Sequence, residues 1–148
     1  MNILGAIIAG VPGTIAISSV MAMAPMMGMP KMDIVDMLST MFGRPNRLIG
    51  WMMHFMMGIV FALIYILLWS AGVGSPTWVN GLIFGGVHWL VTGMVMGMIP
   101  IMHIGIKRGE VQAPGLWMTN NGGMLAFAGG LIGHLVFGLV VVLVYNLF

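Results

Sequence analysis

The sequence lacks cysteine and contains very little charge. Only five Lys and Arg and three Asp and Glu occur among 148 residues, whereas 60% of the residues are hydrophobic. Without cysteine there is no disulfide framework, no thiolate metal site and no cysteine nucleophile. A water-soluble domain has roughly 45–50% apolar residues, and larger apolar surfaces lead to aggregation. The composition therefore predicts a membrane protein with a single transmembrane domain, residues 1–148.

Four apolar stretches are long enough to cross a bilayer, which requires about 20 residues in a helix. They cover residues 3–28, 49–70, 78–102 and 122–148. All charged residues lie in two connections, residues 29–48 and 103–121, and the third connection carries none. Because cytoplasmic loops are rich in Lys and Arg, we expect both charged loops in the cytoplasm and both termini outside. The compartment we expect is a bacterial inner membrane.

The second and fourth stretches share the pattern H-x3-G-x6-Y, at residues 54–65 and 134–145. The first and third stretches align through Pro25 and Pro100, each flanked by methionines. The matching order predicts two tandem helical hairpins with the same orientation, the parallel kind of internal repeat. We place repeat 1 at residues 1–72 and repeat 2 at residues 76–148. Tyr65 and Tyr145 are expected to anchor the outer interface.

The first charged connection is expected to contain a short helix. Within residues 32–42 the apolar side chains recur at helical spacing, at Ile34, Met37, Leu38, Met41 and Phe42. This pattern predicts an amphipathic helix in the membrane interface between helices 1 and 2. The predicted fold is thus an all-α bundle of four transmembrane helices plus this interfacial helix.

Histidines are the ionisable side chains that remain inside the predicted spans. No carboxylate lies there, so no acid–base pair for catalysis is visible and we do not expect an enzyme. His54 and His134 lie about 21–22 Å from the outer boundary at the helical rise. Each either hydrogen-bonds a polar group of another helix (Ser18, Ser19 or Thr92), or the two face each other and hold a haem b or a metal ion. His88 is a weaker candidate for a cofactor ligand, because the other repeat has no histidine at the equivalent position.

Methionine is unusually frequent, at 19 residues. Met94, Met98 and Met102 recur at one-turn spacing, and thioethers are soft ligands that suit Cu(I). With His103 beside Met102 at the predicted cytoplasmic end, they suggest a copper site of His103, Met102 and Met98. The alternative is that methionine serves as a flexible apolar filler.

Glycine rows predict close helix packing. Gly81-x3-Gly85 and Gly93-x3-Gly97 are examples, and such rows serve contacts within a bundle or with another membrane protein. We therefore expect the lipid bilayer, other membrane subunits or a second copy of the chain as partners. The chain has no basic cluster that would indicate nucleic acid.

Four short motifs resemble a family of small, uncharacterised four-span bacterial inner-membrane proteins. They are Gly28-Met-Pro-Lys-Met-Asp-Ile-Val-Asp-Met-Leu, Gly50-Trp-Met-Met-His-Phe, Gly81-Leu-Ile-Phe-Gly and His134-Leu-Val-Phe-Gly. The resemblance implies the four-span topology and carries no activity.

Three functions fit these observations. The first is a small membrane subunit or assembly factor of a larger complex, without a catalytic site of its own. The second is a membrane protein that binds haem b or a metal through His54 and His134. The third is a small transporter or channel, with Cu(I) as one cargo, since internal repeats are common in transporters.

Overall fold

The computed structural model describes residues 1–43 and 45–148, so that the charged residue Arg44 lies outside the described part. The described residues form six α-helices and contain no strand. The helices are α1 Ile3–Met23, α2 Ile34–Ser39, α3 Arg47–Ser70, α4 Trp78–Met96, α5 Ile104–Lys107 and α6 Gly123–Tyr145. Short 3₁₀ turns occupy Ala24–Met27, Ile99–Ile101 and Leu116–Asn121.

The predicted number of membrane spans is confirmed. Among the described residues, four helical segments are long and apolar enough to cross a membrane. They are Ile3–Met27, Arg47–Ser70, Trp78–Ile101 and Gly123–Tyr145. The all-α, four-helix architecture expected of an integral membrane protein is therefore correct, and the span boundaries agree within a few residues.

The helix ends follow from local side-chain chemistry. The Asn2 side chain accepts a hydrogen bond from the Gly5 N–H at 2.8 Å, and Asn46 caps α3 in the same way. These caps satisfy backbone donors that a helix start leaves free. Pro25 and Pro100 lie in the 3₁₀ turns that follow α1 and α4, as expected for proline near a helix end.

Glycine allows the two helices of each hairpin to touch. Helix α1 packs against α3, and α4 packs against α6. Gly10 lies against the backbone of Gly58, and Gly85 lies against the backbone of His134. Gly10 and Gly85 hold equivalent positions in the predicted repeat, so the two hairpins use the same kind of contact. The division into repeats itself stays a prediction.

The two hairpins meet asymmetrically. Helices α1 and α6 pack closely, with Gly13 against Phe137 and Val141, whereas α3 and α4 are bridged by aromatic rings. The rings of Phe61 and His88 are stacked with centroids 3.7 Å apart. Bulky rings keep the α3 and α4 backbones further apart than glycine contacts would. The centre of the bundle is left partly open on this side.

A helix between the first two spans is present, but it differs from the amphipathic helix predicted over residues 32–42. Helix α2 has six residues, of which Ile34, Val35, Met37, Leu38 and Ser39 are buried. It packs on α3, where Gly50 makes room for the carbonyl oxygen of Val35. Helix α2 is therefore shorter than predicted, and most of its residues are buried against the end of the bundle.

Candidate functional site

A small cavity lies at the centre of the bundle, towards the end that carries the charged loops. Its volume is about 70 Å³, and all four long helices contribute to its wall. Three of its side chains are His54 from α3, His88 from α4 and His134 from α6. Nearly all of the remaining lining is apolar. The cavity is thus the one place in the described residues where several imidazoles share an apolar enclosure.

The imidazoles in ring contact are His88 and His134. Their centroids are 4.7 Å apart and the rings are nearly perpendicular. The predicted pair was His54 and His134, with His88 as the weaker ligand. His54 borders the same cavity, but its ring contacts are with Trp51. The residue that breaks the repeat is therefore the closest partner of His134.

Hydrogen bonds fix the tautomer of His134. Its Nδ1 lies 2.8 Å from the carbonyl oxygen of Gly130, which can only accept, so Nδ1 carries the hydrogen. In the neutral ring the lone pair is then on Nε2. In the repeat alignment Gly93 of α4 stands where α1 has Ser18, so the hydroxyl that bonds His54 has no counterpart for His134. It therefore bonds within its own helix.

His54 has the opposite tautomer. The Ser18 hydroxyl donates to the Thr14 carbonyl oxygen at 2.7 Å, which uses its only hydrogen. The same oxygen lies 3.1 Å from His54 Nε2, so it accepts the Nε2–H. The lone pair of neutral His54 is left on Nδ1. Ser18 was one of the predicted hydrogen-bond partners for the paired histidines.

His88 is held by Tyr65, which the sequence placed at the outer interface. The Tyr65 hydroxyl lies 3.1 Å from His88 Nδ1, and Tyr65 is only 3% exposed. The expectation of an interfacial anchor was wrong for Tyr65, because the α3–α4 gap accepts its ring. Tyr145 does lie near the end of the bundle, where its hydroxyl accepts the Asn2 N–H at 3.2 Å.

Thioethers complete the lining of the cavity. Met21, Met32, Met57, Met96 and Met118 all contribute to its wall. Met32 and Met118 come from the two charged connections and are 4% and 3% exposed. The methionines at one-turn spacing behave differently, since Met94 is 58% exposed and faces away from the core. The evenly spaced methionines Met94, Met98 and Met102 are therefore exposed, and the five methionines of the cavity wall are the ones that surround the histidines.

Met118 reaches the cavity from an unusual backbone. Trp117 and Met118 both have left-handed backbone angles, with φ of 48° and 58°. Such angles are uncommon for residues other than glycine, and they concentrate at functional sites. The Trp117 indole N–H donates to the Leu90 carbonyl oxygen at 3.2 Å and ties the segment to α4. The strained segment thus places a thioether against the histidine cavity.

The predicted copper ligands His103, Met102 and Met98 have separate surroundings. His103 is fully buried, with Nε2 donating to the Met37 carbonyl oxygen at 2.7 Å. Its Nδ1 accepts the Ile106 N–H at 3.0 Å. Both ring nitrogens are thereby engaged, whereas Met98 and Met102 are mostly exposed. A site of these three residues stays a prediction, and it would require His103 to leave its hydrogen bonds.

Comparison with known proteins gives the family and no activity. A family model described as a family of unknown function, DUF6789, matches residues 1–148. The chain belongs to DUF6789. No curated protein and no solved structure matches it. The predicted resemblance to an uncharacterised four-span family is confirmed.

The cavity residues of this DUF6789 chain were only partly visible in its sequence. Gly85, His88, Thr92 and Met96 recur at three- and four-residue spacing and form one face of α4. That stripe could have associated His88 with a buried methionine, because residues three and four apart share a helix face. Nothing in the apolar sequence around Met118 indicates that it turns inwards.

Proposed function

We propose that this DUF6789 protein binds a Cu(I) ion inside the membrane, in the cavity bordered by His54, His88 and His134. The observation that carries the proposal is the convergence of three imidazoles and five thioethers on one small apolar enclosure. Imidazole and thioether are ligands that suit Cu(I), and oxygen ligands that would favour harder cations are nearly absent.

The hydrogen bonds support imidazole ligands. Metal-binding histidines usually donate their second ring N–H to a carbonyl, carboxylate or water, which orients the ring. His134 donates to Gly130 and His54 donates to Ser18 in this manner. Each ring keeps one nitrogen lone pair without a protein partner among the described residues. These nitrogens are the ligands we assign to the ion.

The composition of the site favours a monovalent soft ion. No three or more His, Asp or Glu side chains of the described residues are placed to hold a metal by themselves. We assign the remaining ligands to thioethers, and such ligands favour Cu(I) over Zn²⁺. A single positive charge is also the least costly to bury in an apolar membrane interior. We assign Met96 and Met118 as the first sulfur ligands to test.

The size of the cavity favours an ion over haem b. Sites for drug-sized molecules occupy about 300–1,000 Å³. The cavity has about 70 Å³, and the ring contact between His88 and His134 leaves no room for a porphyrin between them. A haem bound through His54 and His134 would need the bundle to open.

Copper binding corresponds to the metal form of the second predicted function, and it is compatible with the other two. A subunit or assembly factor would hold the ion for a larger complex, and a transporter would release it on the other side. Several of the glycines that suggested association with other subunits contact another helix of the same chain instead. Examples are Gly10, Gly85 and Gly138. Binding is common to both functions, so it is the step to test first.

We further propose the topology in which both charged loops face the bacterial cytoplasm and both termini lie outside. The absence of cysteine makes a direct test simple, because any introduced thiol is unique. Ser75→Cys and Gln112→Cys place exposed thiols on opposite connections. We expect a membrane-impermeant maleimide to label intact cells only at Ser75→Cys. Labelling of Gln112→Cys alone would reverse the orientation.

A competition titration tests the binding proposal. Purified protein in detergent, kept anaerobic, is titrated with Cu(I) against a coloured Cu(I) chelator. We expect one ion per chain, about tenfold or more weaker binding after His54→Ala or His134→Ala, and weaker binding after Met118→Leu. Met94→Leu is the matched control, because its thioether is exposed. The proposal fails if the chain binds no Cu(I), or if Met94→Leu matters and the histidine variants do not.

A further inference from the structure

A groove runs along the outside of the bundle between α1 and α3. At its membrane end it has a volume of about 450 Å³ and is lined by Ile15, Ser19 and Phe55 among others. It continues into a second space of about 360 Å³ at the end that carries the charged loops. Ser18, Ala22 and Trp51 line both parts, so the two form one continuous surface.

The chemistry of the groove changes along its length. The membrane end is lined by apolar side chains and two serines. The other end includes Lys31, Asp33 and Arg47. Trp51 stands between them and is partly exposed, in the position where aromatic side chains meet the headgroup region of a bilayer. A ligand that fits both ends must be amphipathic, with an apolar chain and a charged head.

The described charged residues at this end, called the head end below, pair with one another. The Lys31 ammonium lies 3.3 Å from the Asp33 carboxylate, and Arg47 lies 3.8 Å from Asp33 and pairs with Asp36. Lys31 and Arg47 keep 73% and 60% of their side-chain surface exposed. Exposed ion pairs of this kind are weak and exchange readily for other partners. The described lining of the head end therefore offers two cations and one carboxylate to a ligand.

The Asp33 carboxylate keeps its charge at neutral pH. Burial raises the pKa of Asp33, but hydrogen bonds from Asp36 and Lys31 and the Lys31 charge together bring it below 3.8. A ligand that carries only negative charge would meet this carboxylate next to the cations. A ligand with both signs of charge matches the head end better.

We propose that the α1–α3 groove binds one phospholipid with a phosphate and a primary ammonium in its headgroup. The phosphate lies against Arg47 and Lys31, the ammonium faces Asp33, and one acyl chain follows the groove past Ala22 to Phe55. A primary ammonium donates hydrogen bonds to a carboxylate, whereas a trimethylated one does not. The lipid supplies Lys31, Arg47 and Asp33, the described charged residues that line the head end, with groups of opposite charge.

The test measures lipids that remain with the purified protein. The protein is extracted from its membrane in mild detergent, its bound lipid is counted by native mass spectrometry, and the lipid class is identified after solvent extraction. We expect one ethanolamine phospholipid per chain. Arg47→Gln should lower the retained fraction about tenfold, the loss expected for one charge-assisted hydrogen bond. Ala22→Phe should lower it similarly by filling the groove without changing charge.

Matched controls separate the groove from general lipid contact. Arg108→Gln removes a cation at the same end of the bundle but outside the groove, and Val87→Phe enlarges an exposed residue on α4. Both should retain the lipid as the unchanged protein does. The proposal is overturned if no phospholipid is retained, or if Arg47→Gln and Ala22→Phe retain it fully. It is also overturned if the retained lipid lacks either a primary ammonium or a phosphate.

Discussion

Replacement of Gly85 by alanine tests the contact between α4 and α6 that forms one wall of the cavity. The added methyl group would overlap the carbonyl oxygen of His134 and approach the Leu135 Cα to 3.0 Å. Both are backbone atoms, so rotation of a side chain cannot relieve the overlap and the helices must separate. Overpacking of this kind costs about 1–3 kcal/mol.

Gly86 supplies the matched control on the same helix. A methyl group there would lie 3.8 Å from the nearest side-chain atom, which is an ordinary contact. Alanine gains about 0.5–1 kcal/mol over glycine inside a helix, and this gain applies to both variants. The difference in unfolding free energy between Gly85→Ala and Gly86→Ala therefore isolates the steric cost. We expect it to be about 1–3 kcal/mol in favour of Gly86→Ala.

The assay is thermal unfolding of the detergent-solubilised protein, followed by circular dichroism. The midpoint should shift by about 2–4 °C for each kcal/mol in a chain of this size. His88 lies one turn from Gly85, so separation of the helices should also weaken Cu(I) binding in Gly85→Ala alone. Equal midpoints for the two variants would refute the reasoning, and so would a lower midpoint for Gly86→Ala.

Three further predictions concern the hydrogen bonds of single side chains. Tyr65→Phe removes the hydroxyl partner of the buried His88 Nδ1 and should lower the unfolding free energy by about 1–3 kcal/mol, measured by thermal unfolding; unchanged unfolding would count against this contact. His103→Ala should destabilise the fold by about 1–3 kcal/mol in thermal unfolding, because the buried imidazole bonds both the Met37 carbonyl and the Ile106 N–H, and both hydrogen bonds are lost; an unchanged midpoint would contradict this. Asp33→Asn should lower the unfolding midpoint at pH 7 but not at strongly acidic pH. The depressed pKa of Asp33 means that its stabilising charge is present above 3.8 and is lost as pH falls through the lowered value, so a pH-independent difference would count against it.

The architecture could be predicted because it depends on the average composition of long segments. Four apolar runs and two charged connections determine the spans, and neither depends on the position of any one side chain. The prolines at 25 and 100 ended α1 and α4 approximately where expected. Helix α2 was predicted with too wide a range, because periodicity over residues 32–42 cannot distinguish an exposed face from burial under α3.

The site could be predicted only in part. His54 and His134 were identified from their spacing, and both border the cavity. The contact between His88 and His134 depends on the rotation of α4 about its axis, which the repeat could not supply. Met118 reaches the cavity through left-handed backbone angles that no local pattern indicates. Tyr65 was misplaced because depth along a helix does not tell which side of the helix faces the bundle.

The most direct test of the proposed copper site is X-ray absorption at the copper edge of the Cu(I)-loaded protein. The spectrum of the unchanged protein should contain both nitrogen and sulfur neighbours of the copper. Nitrogen scattering should fall in His134→Ala, and sulfur scattering should fall in Met118→Leu but not in Met94→Leu. A spectrum without sulfur, or one that none of these cavity variants alters, would contradict the assignment of Cu(I) to the histidine and methionine cavity.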